Sequence, residues 1–175
     1  MQKQETIAFI DGQNLYMGTK SAPISWTVDF FRFYKYLKEK YKVATAYYYI
    51  GYLINENKSL YQKIKAAGFI LIFRKHQIKM IGKKKGNVDT EIIFDVMKKL
   101  YKKEIFNKII LVSGDGDFHM LVNFLIKENR FKKLLLPNQK YTSSLYKFIN
   151  PKYISNLDNK DIRKKISTQK KEGAP

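Results

Sequence analysis

Three stretches of this chain end or begin in aspartate, each at a place where a carboxylate has chemistry to do. Ile109, Ile110, Leu111 and Val112 run straight into Ser113-Gly114-Asp115-Gly116-Asp117-Phe118, so a buried strand delivers two carboxylates on tight Ser and Gly turns. A second apolar run, Ile7 to Ile10, ends in Asp11-Gly12-Gln13-Asn14, and Gly86-Asn87-Val88-Asp89 sets a further aspartate at the start of a helical pattern. Carboxylates gathered without compensation raise one another's pKa, so a cluster of Asp11, Asp89, Asp115 and Asp117 is expected to hold a cation. All-oxygen ligation suits Mg²⁺ or Mn²⁺. An ion held there acidifies a water and neutralises charge on a phosphodiester, which is phosphate-ester hydrolysis without a cysteine, serine or histidine nucleophile.

Three of these aspartates also have a purely local use. Asp115 and Asp117 can cap the helix expected from Phe118, and Asp89 can cap its own. Asp11 is followed by no helical pattern, so no helix is expected for it to cap. Asn14 is expected to orient Asp11 or touch substrate, and Asp95, one and a half turns after Asp89, to support the cluster from behind unless it is simply a solvated helix acid. Ser113 sits at a strand-to-loop corner, where a hydroxyl satisfies backbone groups, and the Gly-x-Ser-x-Gly elbow of a nucleophilic serine is absent. His76 and His119 lack the spacing of a zinc pair. Tyr47, Tyr48 and Tyr49 alternate in facing along a strand and read first as packing.

Periodicity supplies the elements that must position these groups. Strand-like runs fall at Ile7 to Ile10, Val43 to Tyr52, Phe69 to Arg74, Ile109 to Val112 and Lys133 to Leu136. Helical patterns fall between them at Val28 to Lys40, Glu56 to Ala67, Asp89 to Lys103, Phe118 to Asn129 and Thr142 to Phe148, with Gly68 and Asn129 as helix stops. Strands alternating with helices predict a three-layer α/β/α sandwich on a mainly parallel sheet, buried on both faces. If the order runs about 3-2-1-4-5, Asp11 and Asp115 meet beyond the carboxyl ends of neighbouring strands, where such sheets bind ligands. A domain over residues 1–157 and a basic, flexible tail over 158–175 are expected.

Lysine and arginine outnumber aspartate and glutamate 34 to 15, a net charge of +19. An AT-rich coding bias would raise glutamate along with lysine, so it does not explain the asymmetry. A polyanionic partner does, because lysines near phosphates release condensed counterions. Lys83, Lys84 and Lys85, flanked by Gly82 and Gly86 just before Asp89, are the candidate backbone contacts. The chain has no cysteine, no apolar run near the roughly 18 residues of a membrane span and a polar amino terminus, so a cytoplasmic protein without disulfides is expected.

Phe9-Ile10-Asp11-Gly12-Gln13-Asn14-Leu15, then Gly86-Asn87-Val88-Asp89 with Asp95, then Ser113-Gly114-Asp115-Gly116-Asp117-Phe118 resemble the NYN domain family of LabA-like proteins, in the wider PIN-like nuclease group. The resemblance runs from about Thr6 to Leu136 and rests on three motifs in order. It implies a PIN-like fold and a metal-dependent, ribonuclease-type site, with the family's acidic positions on Asp11, Asp89, Asp115 and Asp117, its first-motif amide on Asn14 and its helix acid on Asp95. Nothing acidic is missing. Gly116 stands where the family's usual SGDSDF has its second Ser. The expected activity is therefore Mg²⁺- or Mn²⁺-dependent cleavage of RNA, in preference to DNA. The alternatives are a non-cleaving RNA-binding module and, on the same acids, a phosphatase or nucleotidase. The oligomeric state, a homodimer included, is left open.

Overall fold

The computed structural model of the chain describes residues 5–21, 25–51, 54–74, 88–104 and 106–168. Its centre is a six-stranded, wholly parallel sheet. The strands are β1 (Thr6–Asp11), β2 (Val43–Ile50), β3 (Ile70–Phe73), β4 (Lys108–Val112), β5 (Phe131–Leu136) and β6 (Ile154–Asn156), in the order β3-β2-β1-β4-β5-β6. The expected neighbours are therefore neighbours. β1 pairs with β2 on one side and with β4 on the other, Ile10 lying beside Val112.

Alternation along the strands divides the core in two. Ala8, Ile10, Ile110, Val112 and Leu135 face α1 (Gly12–Lys20), α2 (Phe30–Tyr41), α3 (Lys58–Ala66) and α6 (Lys160–Ile166), meeting Leu15, Phe33, Leu37, Ile64 and Ile166. Ile7, Phe9, Ile109, Leu111 and Leu134 face α4 (Val88–Tyr101) and α5 (His119–Lys127), meeting Val88, Ile92, Val96, Leu121 and Leu125. The result is a three-layer α/β/α sandwich. Every residue of β1 is buried, which is why its sequence reads as an unbroken apolar run. The three tyrosines of β2 all pack: Tyr48 joins the first core, Tyr49 the second, and Tyr47 lies partly buried against Phe9.

Helix ends follow local backbone chemistry. Gly68 after α3 has φ +108°, and Asn129 after α5 has φ 54°, both in the left-handed region that closes helices. Four features depart from the sequence expectation. A helix, α1, follows Asp11 directly; its sequence GQNLYMGTK buries only Gly12, Leu15 and Thr19, too little apolar periodicity to announce it. Gly12 is required there, because a Cβ would stand 2.6 Å from the Tyr49 carbonyl oxygen and 2.4 Å from the Tyr48 ring. Residues of the Thr142 to Phe148 pattern form a 3-10 turn, Ser144–Phe148, in place of an α-helix.

Two further departures lie near the carboxyl terminus. β6 is a polar three-residue strand with no pattern to reveal it. Instead of a flexible tail from Asp158, the chain forms α6, capped by Asn159, and Ile166 is fully buried in the first core. Arg32 Nη1 donates to the Ser167 carbonyl at 3.2 Å, and Val28 bridges Ser167. One large aliphatic side chain per helical turn was enough to dock a segment whose composition reads as solvated. Residues 169–175 lie outside the described residues.

Candidate metal centre

Asp11 and Asp115 both follow the carboxyl ends of their strands, at the point where the chain's strand order reverses between β1 and β4. Asp89 is the second residue of α4 and therefore not its N-cap; it reaches the same end of the sheet from the layer above. Each of Asp89, Asp115 and Asp117 offers an oxygen, and these oxygens lie within 4.8 Å of one another. No other group of three or more metal-type ligands is found among the described residues. Asp11 stands beside this triangle and outside it. All four carboxylates nonetheless act on one point, the hydroxyl of Tyr146, whose pKa is raised by burial and then by Asp115, Asp89, Asp117 and Asp11.

A short chain of hydrogen bonds holds the two strand ends in register. Asp11 Oδ1 accepts from the Asn14 backbone N–H at 3.0 Å, capping α1, so the capping role that the sequence did not suggest is real. Asp11 Oδ2 accepts from Ser113 Oγ at 3.2 Å, and Ser113 Oγ in turn accepts from the Asp115 backbone N–H at 3.1 Å. Asn14 Oδ1 accepts from the Gly114 N–H at 2.8 Å. Asn14 and Ser113 thus tie the first motif to the third. Asp115 Oδ1 accepts from the Asp117 N–H at 3.0 Å and caps the 3-10 turn Gly116–Phe118, while its second oxygen takes no bond among the described residues.

Burial and mutual repulsion dominate the electrostatics at Asp11 and Tyr146. Asp11 is 4% exposed, and burial pushes its carboxyl above the usual aspartate range, the Asn14 N–H and Ser113 opposing this and Asp115 adding to it. The described ion pairs, Lys35 with Glu39, Arg74 with Glu91 and Lys99 with Glu104, leave Asp11, Asp115 and Asp117 without a basic partner.

The remaining predicted residues divide. Asp95, on the same helix as Asp89, accepts from the Tyr49 hydroxyl at 2.7 Å and lies outside the triangle. His119 opens α5 with Nε2 3.0 Å from Asn123 Nδ2. Lys83, Lys84 and Lys85, like His76, lie outside the described residues. Tyr146 was missed: it is 2% exposed and its hydroxyl donates to the Asp115 carbonyl oxygen. Only its place in an aromatic, lysine-rich segment could have drawn attention to it. At Gly116 a Cβ would stand 2.5 Å from Ser143 Oγ and 3.0 Å from Ser143 Cβ, so a side chain there requires Ser143 to shift. The hydroxyl of Ser143 occupies space that a side chain at position 116 would need.

Among the described residues no helix is long and apolar enough to cross a membrane. No curated protein matches the sequence. The crystal structure of a Vibrio parahaemolyticus protein of unknown function is similar in fold, with a TM-score of 0.72 and 23% identity over 96% of this chain and 100% of that one. The NYN domain family matches residues 5–157.

Proposed function

This chain belongs to the NYN domain family, and from that premise we propose that it is a divalent-metal-dependent ribonuclease. The observation that carries the proposal is the convergence of Asp89, Asp115 and Asp117 oxygens within 4.8 Å beside the buried Asp11. Three carboxylates of mixed exposure, with no ion pair to Asp115 or Asp117 among the described residues, fit a hard cation, and Mg²⁺ or Mn²⁺ would be held by Asp89, Asp115 and Asp117. When bound, such an ion supplies Lewis acidity toward a phosphodiester oxygen and lowers the pKa of water.

The protein's own contribution is positioning. Asp11 holds Ser113 Oγ, Ser113 Oγ holds the Asp115 N–H, and Asn14 holds the Gly114 N–H, so the β4 loop is fixed against β1 before substrate arrives. A rigid first motif therefore matters to the reaction even where its residues do not touch substrate. The proposed assignment is Asp89, Asp115 and Asp117 as ligands, Asp11 as the fourth carboxylate, and Asn14 and Ser113 as its supports. The net charge of +19 favours a polyanionic substrate over a small phosphate ester, and the choice of RNA over DNA rests on the family resemblance.

The test is cleavage of labelled single-stranded RNA and matched DNA with Mn²⁺, Mg²⁺ or EDTA, beside the Asp115→Asn variant. RNA cutting that needs metal and is lost in the variant is the expected result. Tight RNA binding with no product under any divalent ion would replace the nuclease with a non-cleaving RNA-binding module.

A further inference from the structure

The segment that follows β5 crosses the carboxyl end of the sheet and clasps the acidic loop. Asn138 Nδ2 donates to the Gly18 carbonyl at 3.0 Å, anchoring the segment to α1. The Ser143 N–H donates to the Gly114 carbonyl at 3.0 Å, and the Tyr146 hydroxyl donates to the Asp115 carbonyl. Tyr146 and Ile149 are buried. Between and beside these anchors, Tyr141 is 55% exposed, Leu145 44% and Phe148 88%. Single exposed apolar side chains are ordinary on a protein surface. Three within eight residues, on two successive 3-10 turns whose Ser143 and Tyr146 bond the backbone of Gly114 and Asp115, call for an occupant.

Charge indicates which occupant. Lys140 and Lys147 alternate with the exposed rings, and residues 129–157 contain no acidic residue. Lys140 Nζ lies 5.7 Å from the centre of the Tyr141 ring, so a cation and a π face are presented together. Aromatic faces with lysines between them match a strand whose bases are free to stack and whose phosphates run alongside. In a duplex the base faces are already covered by neighbouring bases.

We infer that residues 140–148 form a stacking platform for the unpaired bases of a single-stranded nucleic acid, with Tyr141 and Phe148 as its faces and Lys140 and Lys147 on the flanking phosphates. The inference deepens the nuclease reading and rests on it for the passage of the strand over the aspartates. Because every base has a π face, the platform is tolerant of sequence and selects strandedness. It takes RNA and DNA alike, so any preference for RNA resides elsewhere in the site.

The experiment measures binding by the full chain carrying Asp115→Asn, using fluorescein-labelled twelve-nucleotide RNA, the same DNA sequence, its duplex, and an abasic DNA strand of equal length. The expected result is tighter binding of both single strands than of duplex or abasic strand. Tyr141→Ala and Phe148→Ala each weaken single-strand binding about 5- to 100-fold. They leave abasic binding and its salt dependence unchanged, and Tyr141→Trp retains full affinity. Equal affinity for abasic and base-bearing strands, parallel loss of both in the variants, or no binding of any strand would overturn the platform. Base-dependent binding by a wild-type chain that cuts nothing would keep the platform and remove the nuclease. Cutting that is unaffected by the alanine variants would do the reverse.

Discussion

Asp11 uses one oxygen to cap α1 and the other to hold Ser113, and it does so while almost wholly buried. Burial raises its pKa, so in the folded protein its ionisation is penalised relative to the unfolded chain. The sign follows from linkage: the folded state binds the proton more tightly, and stability is lost as pH rises from about 3.9, the unfolded value, through the raised folded value. Asn cannot ionise and is an equally good N-cap. In EDTA, Asp11→Asn is therefore expected to melt at or above the wild-type temperature at pH 7 to 8, with the advantage gone below about pH 3.9. Melting curves across this range check it; a variant less stable than wild type at pH 8 would contradict the assignment of burial as the dominant cause. Gly116 shows a different constraint at the same scale: Ser143 Oγ takes the space that another side chain would fill, so this pair must be considered together.

At the level of elements, the carboxyl-terminal segments matter more than their composition suggests. α6 packs on α2, and its Ile166 side chain is fully buried with Leu157 in the first core. Ile166→Ala is expected to cost about 2 to 5 kcal/mol, the usual range for emptying a buried aliphatic site. Urea denaturation measures this directly, and a loss below about 0.5 kcal/mol would mean that α6 is a surface appendage after all. The clasp formed by residues 138–146 is similar in kind. It bonds to Gly18 of α1 and to Gly114 and Asp115 beyond β4, so β5's continuation braces both sides of the acidic cleft.

For the whole molecule, charge is unevenly used: the chain carries a net charge of +19, yet among the described residues no ion pair reaches Asp115 or Asp117. A cation binding there relieves the repulsion and binds only the folded chain, since the acids come from β1, α4 and the loop after β4. Linkage then predicts that Mn²⁺ at one hundred times its dissociation constant stabilises the fold by about 2.7 kcal/mol. For a chain of this size that raises the melting temperature by about 5 to 10 °C. Scanning calorimetry with and without EDTA checks this, and the shift should fall away in Asp89→Asn and Asp115→Asn. An identical shift in those variants would place the ion elsewhere.

The sequence by itself determined the strand–helix alternation, the carboxylates at strand ends and the helix stops at Gly68 and Asn129. These are local properties: apolar runs, a Gly or Asn in the left-handed region, an Asp where a strand stops. It also carried the parallel sheet and the order of its first five strands as an expectation, through the nearly unbroken apolar strands and the ordered motifs. Tertiary structure alone decided which carboxylates form the triangle, that α1 and α6 exist, and that Tyr146 and Ser143 close over the acidic loop. The physical reason is sequence separation. Ser113 and Asp11 are 102 positions apart, Gly114 and Asn14 are 100, and Arg32 and Ser167 are 135, so no local pattern encodes the bonds that join them. Weakly patterned segments such as α1, β6 and α6 take their form from the surfaces they meet, and those surfaces exist only once the sheet is assembled.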